Sequence, residues 1–368
     1  METSFLILLI IHGLIHLLGF IKGFNLTKIN QLVVPISRLT GVLWLISAVL
    51  FLLVGALLTF NISIWWIVAL LAVVFSQILI IRSWKDAMFG TVSNAIIFIP
   101  VFFAFLNFLP SSFSNIYRAE VQKGLTKQGD TSVVTEADLK NLPPPVKKYL
   151  LYAGVVGKPK VYNFRAVFTG TIKPKKDGDW FEFHAQQYDF FNYPTRVFLI
   201  KSSMFRIPFD GLHLYIGKNA TMQIRIGSLI QIADAKGDTM TQSETVTLFN
   251  DMCILAPAAL ILPSIQWEAI DSTTTKAIFS NEGHTISAIL HFNEVGELIN
   301  FVSDDRKMSF DGITYEKFRW STPINNYKDF NDRKVATYGK AIWNLPGGQF
   351  MYGKFDLVEI EYNCKELK

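Results

Sequence analysis

Cysteine is almost missing from this sequence. Cys253 and Cys364 stand far apart and outside any C-x-x-C pair, which excludes zinc-finger and thioredoxin-like readings. If the region that carries them lies outside the cytoplasm they could bridge. Against a bridge, Cys253 falls in an apolar helical stretch and Cys364 near the C-terminus. There is no G-x-S-x-G elbow, no H-E-x-x-H pair and no glycine-rich phosphate loop, so no motif announces a serine hydrolase, a zinc protease or a nucleotide binder. Nothing nominates a metal, and no cofactor is expected. A run of one charge sign is absent as well. The 35 basic and 30 acidic residues leave a net +5, but the two signs are interleaved, and nucleic acid is not an expected partner.

Charge itself is scarce in the first 110 residues. They hold only Lys22, Lys28, Arg38, Arg82 and Lys85 against Glu2 and Asp86. Four windows there are long and apolar enough to cross a bilayer: Phe5–Ile21, Leu39–Phe60, Ile64–Ile81 and Val92–Leu109, each near the ~20 residues a span needs. Trp65, Trp66 and Trp84 flank the third window as interfacial anchors do. The first window has no basic residue before it and no small-x-small site after it, so it reads as a retained span rather than a cleaved signal. The bilayer is the first partner expected. All five basic residues fall in the first and third connections, and the second, Asn61–Ser63, has none. That places the first and third connections in the cytoplasm and the large C-terminal part outside. Arg118, Lys123 and Lys127 oppose this orientation, but long domains translocate largely regardless of charge.

His12 and His16 lie four apart in the first span, on one helical face. Ionisable groups in a membrane are costly and mark metal, haem or proton-relay sites. The competing reading is interhelical hydrogen bonding to Gln77 or Asn94. Haem held by both histidines is excluded by geometry, since both ligands would come from one helix.

Residues 111–145 read as a linker with short helices, one over Asn115–Leu125 and one starting at Thr135 with Asp138. A further helix, Val146–Ala153, has Pro145 at its first position and Gly154 as its stop. From Lys160 the hydrophobic period becomes two. Tyr162, Phe164, Ala166 and Phe168 alternate with polar partners, as do Phe181, Phe183 and Ala185, then Ile286, Ala288, Leu290 and Phe292. Strands are also expected over Arg196–Lys201, Leu212–Ile216, Thr221–Ile226, Lys276–Phe279, Leu298–Ser303, Tyr315–Trp320, Thr337–Trp343 and Gln349–Ile360. Turn-rich separators without helices imply antiparallel pairing. One helix interrupts, Thr241–Leu260, with Thr241 and Glu244 at capping-box spacing and Val246, Phe249 and Cys253 on one buried face. The fold expected for 146–368 is therefore α+β: a large antiparallel, half-barrel-like sheet with a packed helix. Aromatics on both faces of single strands (Trp180 beside Phe181, Phe318 near Trp320) require that both faces be covered or that the sheet enclose an apolar hollow.

Five strings carry a resemblance: LPPPVKKYLLYAGVVGKP (Leu142–Pro159), ETVTLFNDMCILAPAAL (Glu244–Leu260), WEAID (Trp267–Asp271), FVSDDR (Phe301–Arg306) and the W-x-x-P-x-G run Trp343–Gly348. Together they are similar to an uncharacterised bacterial family, a conserved domain of unknown function, over about residues 140–363. The four-span leader is similar to that of some members. The resemblance implies a bacterial cytoplasmic membrane and no activity. In pattern alone the domain also resembles the half-barrels of lipoprotein carriers, which hold acyl chains in an apolar concavity.

Candidate ligand-binding residues follow. Glu244, Thr247 and Asp251 share one helical face, where an acid could act as base or ligand or simply meet solvent or cap. Asp304, Asp305 and Arg306 form a charged cluster that could instead pair locally or close a turn. His184, Gln186 and Tyr188 share a strand face near Trp180, a possible polar lining of a groove. Trp267, with Glu268 and Asp271, reads as a strand end and turn. Three functions remain open: a membrane-anchored envelope protein that binds a lipid, a lipoprotein acyl chain or another apolar ligand; an envelope hydrolase using Asp251 or Asp305 with His184; and an assembly factor whose protein partners the sequence does not name. The charge bias makes one prediction. Protease added to intact spheroplasts should degrade the part beyond Pro110 and spare it in inverted vesicles; the reverse pattern would put that part in the cytoplasm.

Overall fold

The computed structural model describes residues 2–29, 32–204, 207–309 and 311–368, in two compact units, Met1–Leu109 and Pro110–Lys368. The first unit consists of helices α1 (Glu2–Gly23), α2 (Arg38–Thr59), α3 (Trp65–Arg82), the single turn α4 (Trp84–Ala87) and α5 (Gly90–Phe108). Among the described residues, four helices are long and apolar enough to cross a membrane, starting at Thr3, Arg38, Trp65 and Gly90. Their outward side chains are themselves apolar, among them Ile11, Val49, Ile78 and Ile99, as a surface facing hydrocarbon requires. Glycines let α1 and α2 approach closely: a Cβ on Gly19 would collide with the Trp44 ring, and one on Gly23 would lie 2.9 Å from the Gly41 Cα.

Inside this bundle the polar side chains satisfy one another. His12 Nε2 donates to Asn94 Oδ1 (2.9 Å). His16 Nδ1 donates to the His12 carbonyl (2.7 Å) while its Nε2 pairs with Ser76 Oγ (2.8 Å). Asn94 Nδ2 donates to Gln77 Oε1 (3.0 Å). The two histidines thus tie α1 to α3 and α5, the interhelical reading, with Ser76 as an unforeseen partner.

The second unit opens with α6 (Phe113–Leu125), a 3-10 turn (Glu136–Leu139) and α7 (Pro144–Tyr152). The helix start expected at Thr135 with Asp138 is this 3-10 turn, and the two residues form a reciprocal cap. Pro144, one residue earlier than expected, starts α7, and Gly154 follows at φ +70°, a conformation that costs glycine nothing. Six strands then run as a meander: β1 (Asn163–Ile172), β2 (Phe181–Phe190), β3 (Thr195–Met204), β4 (Ile207–Ile216), β5 (Asn219–Ile226) and β6 (Ile230–Lys236). After α8 (Asp238–Leu255) and a 3-10 turn (Pro257–Ile261) come β7 (Ile265–Ala269), β8 (Thr274–Asn281), β9 (His284–Phe292) and β10 (Leu298–Ser303). A small ribbon, β11 (Lys307–Met308) with β12 (Glu316–Lys317), precedes β13 (Arg319–Asp329), β14 (Lys334–Leu345) and β15 (Gly348–Tyr362).

The large sheet has 13 strands in the order β6-β5-β4-β3-β2-β1-β15-β14-β13-β10-β9-β8-β7. The α+β, half-barrel-like expectation is met by this open sheet, which does not close into a barrel. The chain leaves one edge at β6, crosses by α8 and resumes at the other edge with β7. Three expectations need correction. Tyr315–Trp320 is two elements, β12 and the start of β13. The helix begins at Asp238, so Thr241 is no cap; its hydroxyl bonds back to Gly237 O (3.1 Å). The helix stops at Leu255 because Pro257 cannot continue it.

Nearly every side of α8 is buried. Phe249 stacks on Phe279 (centroids 5.1 Å) and leans on Phe301 (5.9 Å). Two tyrosines satisfy carbonyls at its C-terminal end: Tyr149 Oη donates to Cys253 O (2.8 Å) and Tyr362 Oη to Leu255 O (2.7 Å). On the opposite face of the sheet, Phe113, Tyr117 and Val121 of α6 pack with Tyr188, Val197, Leu199 and Leu212, so part of the sheet is covered on both sides. Cys253 and Cys364 are both buried and free. Replacing the fully buried Phe249 with alanine should cost about 3–5 kcal/mol, read as a lowered denaturant midpoint of the β-domain near-ultraviolet signal; a change under about 1 kcal/mol would mean that α8 is not packed in this way.

Candidate functional site

Strand alternation sends Phe183, Ala185, Gln187 and Asp189 of β2 to the face beneath α8. The register sets them beside Arg196, Phe198 and Ile200 of β3 and, beyond these, Phe209, Gly211 and His213 of β4. Along each strand the inward face therefore changes from polar at one end to apolar at the other. Gly211 is required where it stands, because a Cβ there would lie 2.7 Å from Ile200 Cγ2. Between these strands, α8 and the β13–β15 wall (Trp320, Ile324, Ala336, Ala341, Phe355, Leu357) lies a cavity of about 230 Å³. Its lining is mainly apolar; Glu244, Thr247, Asn250 and Asp251 of α8 make one polar side, and Thr337, Tyr338 and Lys340 of β14 line it as well.

Glu244 organises the polar side on α8. Its side chain is 1% exposed, and its carboxylate meets Arg196 Nη1 at 3.3 Å, Arg306 Nη2 at 3.5 Å and His213 Nδ1 at 3.8 Å. Burial alone would raise its pKa; His213, Arg196 and Arg306 outweigh burial and hold it at about 2. Burial pushes His213 downward, so at neutral pH the counter-charges are the two guanidiniums. Asp251 Oδ2 accepts from Arg196 Nε (2.6 Å) and Gln187 Nε2 (2.7 Å). Gln187 Nε2 also donates to Asp189 Oδ1 (3.0 Å). Burial, followed by the charge of Asp251, drives Asp189 well above the carboxylate range, and it stays protonated. Arg306 donates to Thr247 Oγ1 (3.1 Å) and to Tyr352 Oη (3.4 Å), and its guanidinium lies over Trp320 (4.7 Å). Beside α8 two guanidiniums face the carboxylates of Glu244 and Asp251, and burial pushes the Asp251 carboxyl upward while Arg196 and Gln187 pull it down. Lys340 of β14 adds a third cation to the cavity lining.

Of the sequence candidates, Glu244, Asp251 and Arg306 meet at this cavity. The solvated-face reading of Glu244 fails, because α8 turns that face into the sheet. Asp305 and Arg306 do not pair. Asp305 Oδ2 accepts from the Ser287 backbone N–H (2.7 Å) and hydroxyl (3.0 Å), Asp304 pairs with Arg319 (2.9 Å), and Arg306 turns inward. His184, Gln186 and Tyr188 occupy the other face of β2; His184 is exposed and Tyr188 belongs to the α6 cluster. Trp180 sits between the ammoniums of Lys173 (5.1 Å) and Lys354 (4.6 Å). Trp267 lies on β7, packed against the main core from its edge. Asp251 therefore shares no cleft with His184 or Asp305. Sequence reasoning passed over Gln187, Arg196 and His213. Their signal was phase: each is a polar residue standing in an apolar alternation, and buried polar groups are the informative ones. Among the described residues no group of three metal-ligating side chains converges.

Glu244→Gln should leave Arg306 without a carboxylate and Arg196 with Asp251 alone, and destabilise by about 3–5 kcal/mol at pH 7. The sign with pH follows from the depressed pKa. Glu244 contributes fully above its ordinary value of 4.5, and the contribution fades as pH falls toward about 2,. The gap between wild-type and variant denaturant midpoints should narrow below pH 4.5; a gap that is constant down to pH 3 would contradict the pairing.

No curated protein matches the sequence. Among solved structures, a domain described as an outer membrane lipoprotein-sorting protein from Vibrio parahaemolyticus is similar at TM-score 0.33 and 10% identity, over 54% of this chain and 85% of that one. A LolA superfamily protein from Nitrosomonas europaea is similar at TM-score 0.34 and 11% identity, over 59% of this chain and 93% of that one. A family model matches residues 132–355, which span α8 and the large sheet up to the middle of β15. The chain belongs to the family of unknown function DUF6544.

Proposed function

We propose that this is a membrane-anchored envelope protein whose extracytoplasmic β domain holds an apolar ligand, a lipid or an acyl chain, in the cavity beneath α8. The observation that carries the reading is the cavity itself: about 230 Å³ walled largely by Phe, Ile, Leu and Trp side chains. An apolar cavity of about 150 Å³ already admits benzene. Leaving the apolar wall of this one against water is unfavourable. Filling it with hydrocarbon removes that contact.

In this reading Glu244, Asp251 and Arg306, with Arg196, form a rigid wall at the polar end. Arg196 and Arg306 are held by Glu244 and Asp251, so this wall sets the length and shape of the ligand. The four apolar helices and the positive charge of their first and third connections support anchoring with the β domain outside. His184 and Asp305 have no part in the site. A hydrolase built on them would need side chains that the fold keeps on separate surfaces.

The full chain, extracted in detergent and sprayed intact for native mass spectrometry, should carry a bound lipid of defined mass. Ala341→Phe, which fills space against the β15 wall, should reduce that occupancy at least tenfold while the protein stays folded. Bare wild-type protein, or equal occupancy in the variant, would overturn the reading.

A further inference from the structure

The edge strand β6 is unusual. A free sheet edge is normally guarded by charge, proline or a covering element, yet here Leu229, Ile230 and Ile232 are 54%, 63% and 53% exposed. They form and follow the tip of the β5–β6 hairpin, where Gly227 and Ser228 take positive φ (59° and 60°). A cluster of this kind on a protein in water calls for a partner.

The same end of the sheet lies beside the start of the second unit. Arg225, near the end of β5, donates from Nη1 to the Ser111 carbonyl (2.8 Å) and lies over the Phe113 ring (4.2 Å). Ser111 follows Leu109, the last residue of the apolar unit, by two positions, so it can be no more than about 7 Å along the chain from it. The hairpin is therefore held beside the segment by which the chain enters the β domain. The β1–β2 connection emerges at the same end of the strands, with Trp180 held between Lys173 and Lys354. An aromatic ring flanked by ammoniums is a common anchor at a lipid interface. The cavity is also apolar toward this end, through Ile200, Phe209 and Ile224.

We infer that the β5–β6 hairpin rests in the lipid surface, with Leu229, Ile230 and Ile232 buried at the boundary of headgroups and acyl chains. The occupant of this face is the bilayer that anchors the chain. The inference is separate from the ligand proposal, since the hairpin meets lipid whether the cavity is filled or empty. It also gives an apolar ligand a short route, from the membrane along the hairpin to the apolar end of the cavity.

The test uses the full chain in lipid nanodiscs with a polarity-sensitive fluorophore at Ile230→Cys, at Ile232→Cys or, as control, at Lys218→Cys in the β4–β5 turn at the far end of the strands. Cys253 and Cys364 are buried and should not label in the folded protein. Spin-labelled lipids carrying the quencher high on the acyl chain should cut emission at 230 and 232 to about half, the depth at which interfacial apolar groups sit, and leave 218 unchanged. No quenching at 230 and 232 would overturn the inference. So would a label that is shielded from aqueous iodide yet untouched by the lipid quencher, in particles holding two chains, because the face would then belong to a second copy.

Discussion

A sheet that bends without closing leaves a concave apolar face, and water against that face would unfold it. Here α8 occupies the hollow. It runs from the β6 edge to the β7 edge and is buried nearly all round, so it must bring polar groups inside with it. Glu244 and Asp251 are those groups, and Arg196 and Arg306 reach in from the sheet and the β10–β11 connection to meet them. Because a buried charge without a partner costs several kcal/mol, this quartet fixes the height and rotation of α8. The space that α8 does not fill is the cavity. The same helix placement thus accounts for the core, the polar wall and the hollow between them.

The helical unit solves a related problem with different means. Its interior is apolar, and His12, His16, Ser76, Gln77 and Asn94 satisfy one another across three helices. Close glycine contacts pack α1 against α2.

Much of this was legible from sequence. Span lengths and period-2 alternation located the four helices and most strands, because both signals come from repeated local geometry. The buried face of α8 carrying Val246, Phe249 and Cys253 was also visible. Its start was not: Thr241 and Glu244 have capping-box spacing, but Gly237 turns the chain earlier, and tertiary burial then claims Glu244 for an ion pair. The polar wall was only half visible. Glu244, Asp251 and Arg306 stood out as charges, whereas Gln187, Arg196 and His213 were hidden inside apolar phases and are joined only by long-range register. His184, Gln186 and Tyr188 look like a lining in one dimension, and which face of β2 meets α8 is decided by strands far away in sequence.

The central claim is that the hollow under α8 is shaped for hydrocarbon. The most direct measurement is a high-resolution cryo-electron map of the full chain in lipid nanodiscs, read inside the cavity. An elongated density running past Phe198, Ile200 and Ile324, with Glu244 still between Arg196 and Arg306, is the expected result. A hollow closed by its own side chains, or one holding only ordered water on the charged groups, would contradict it.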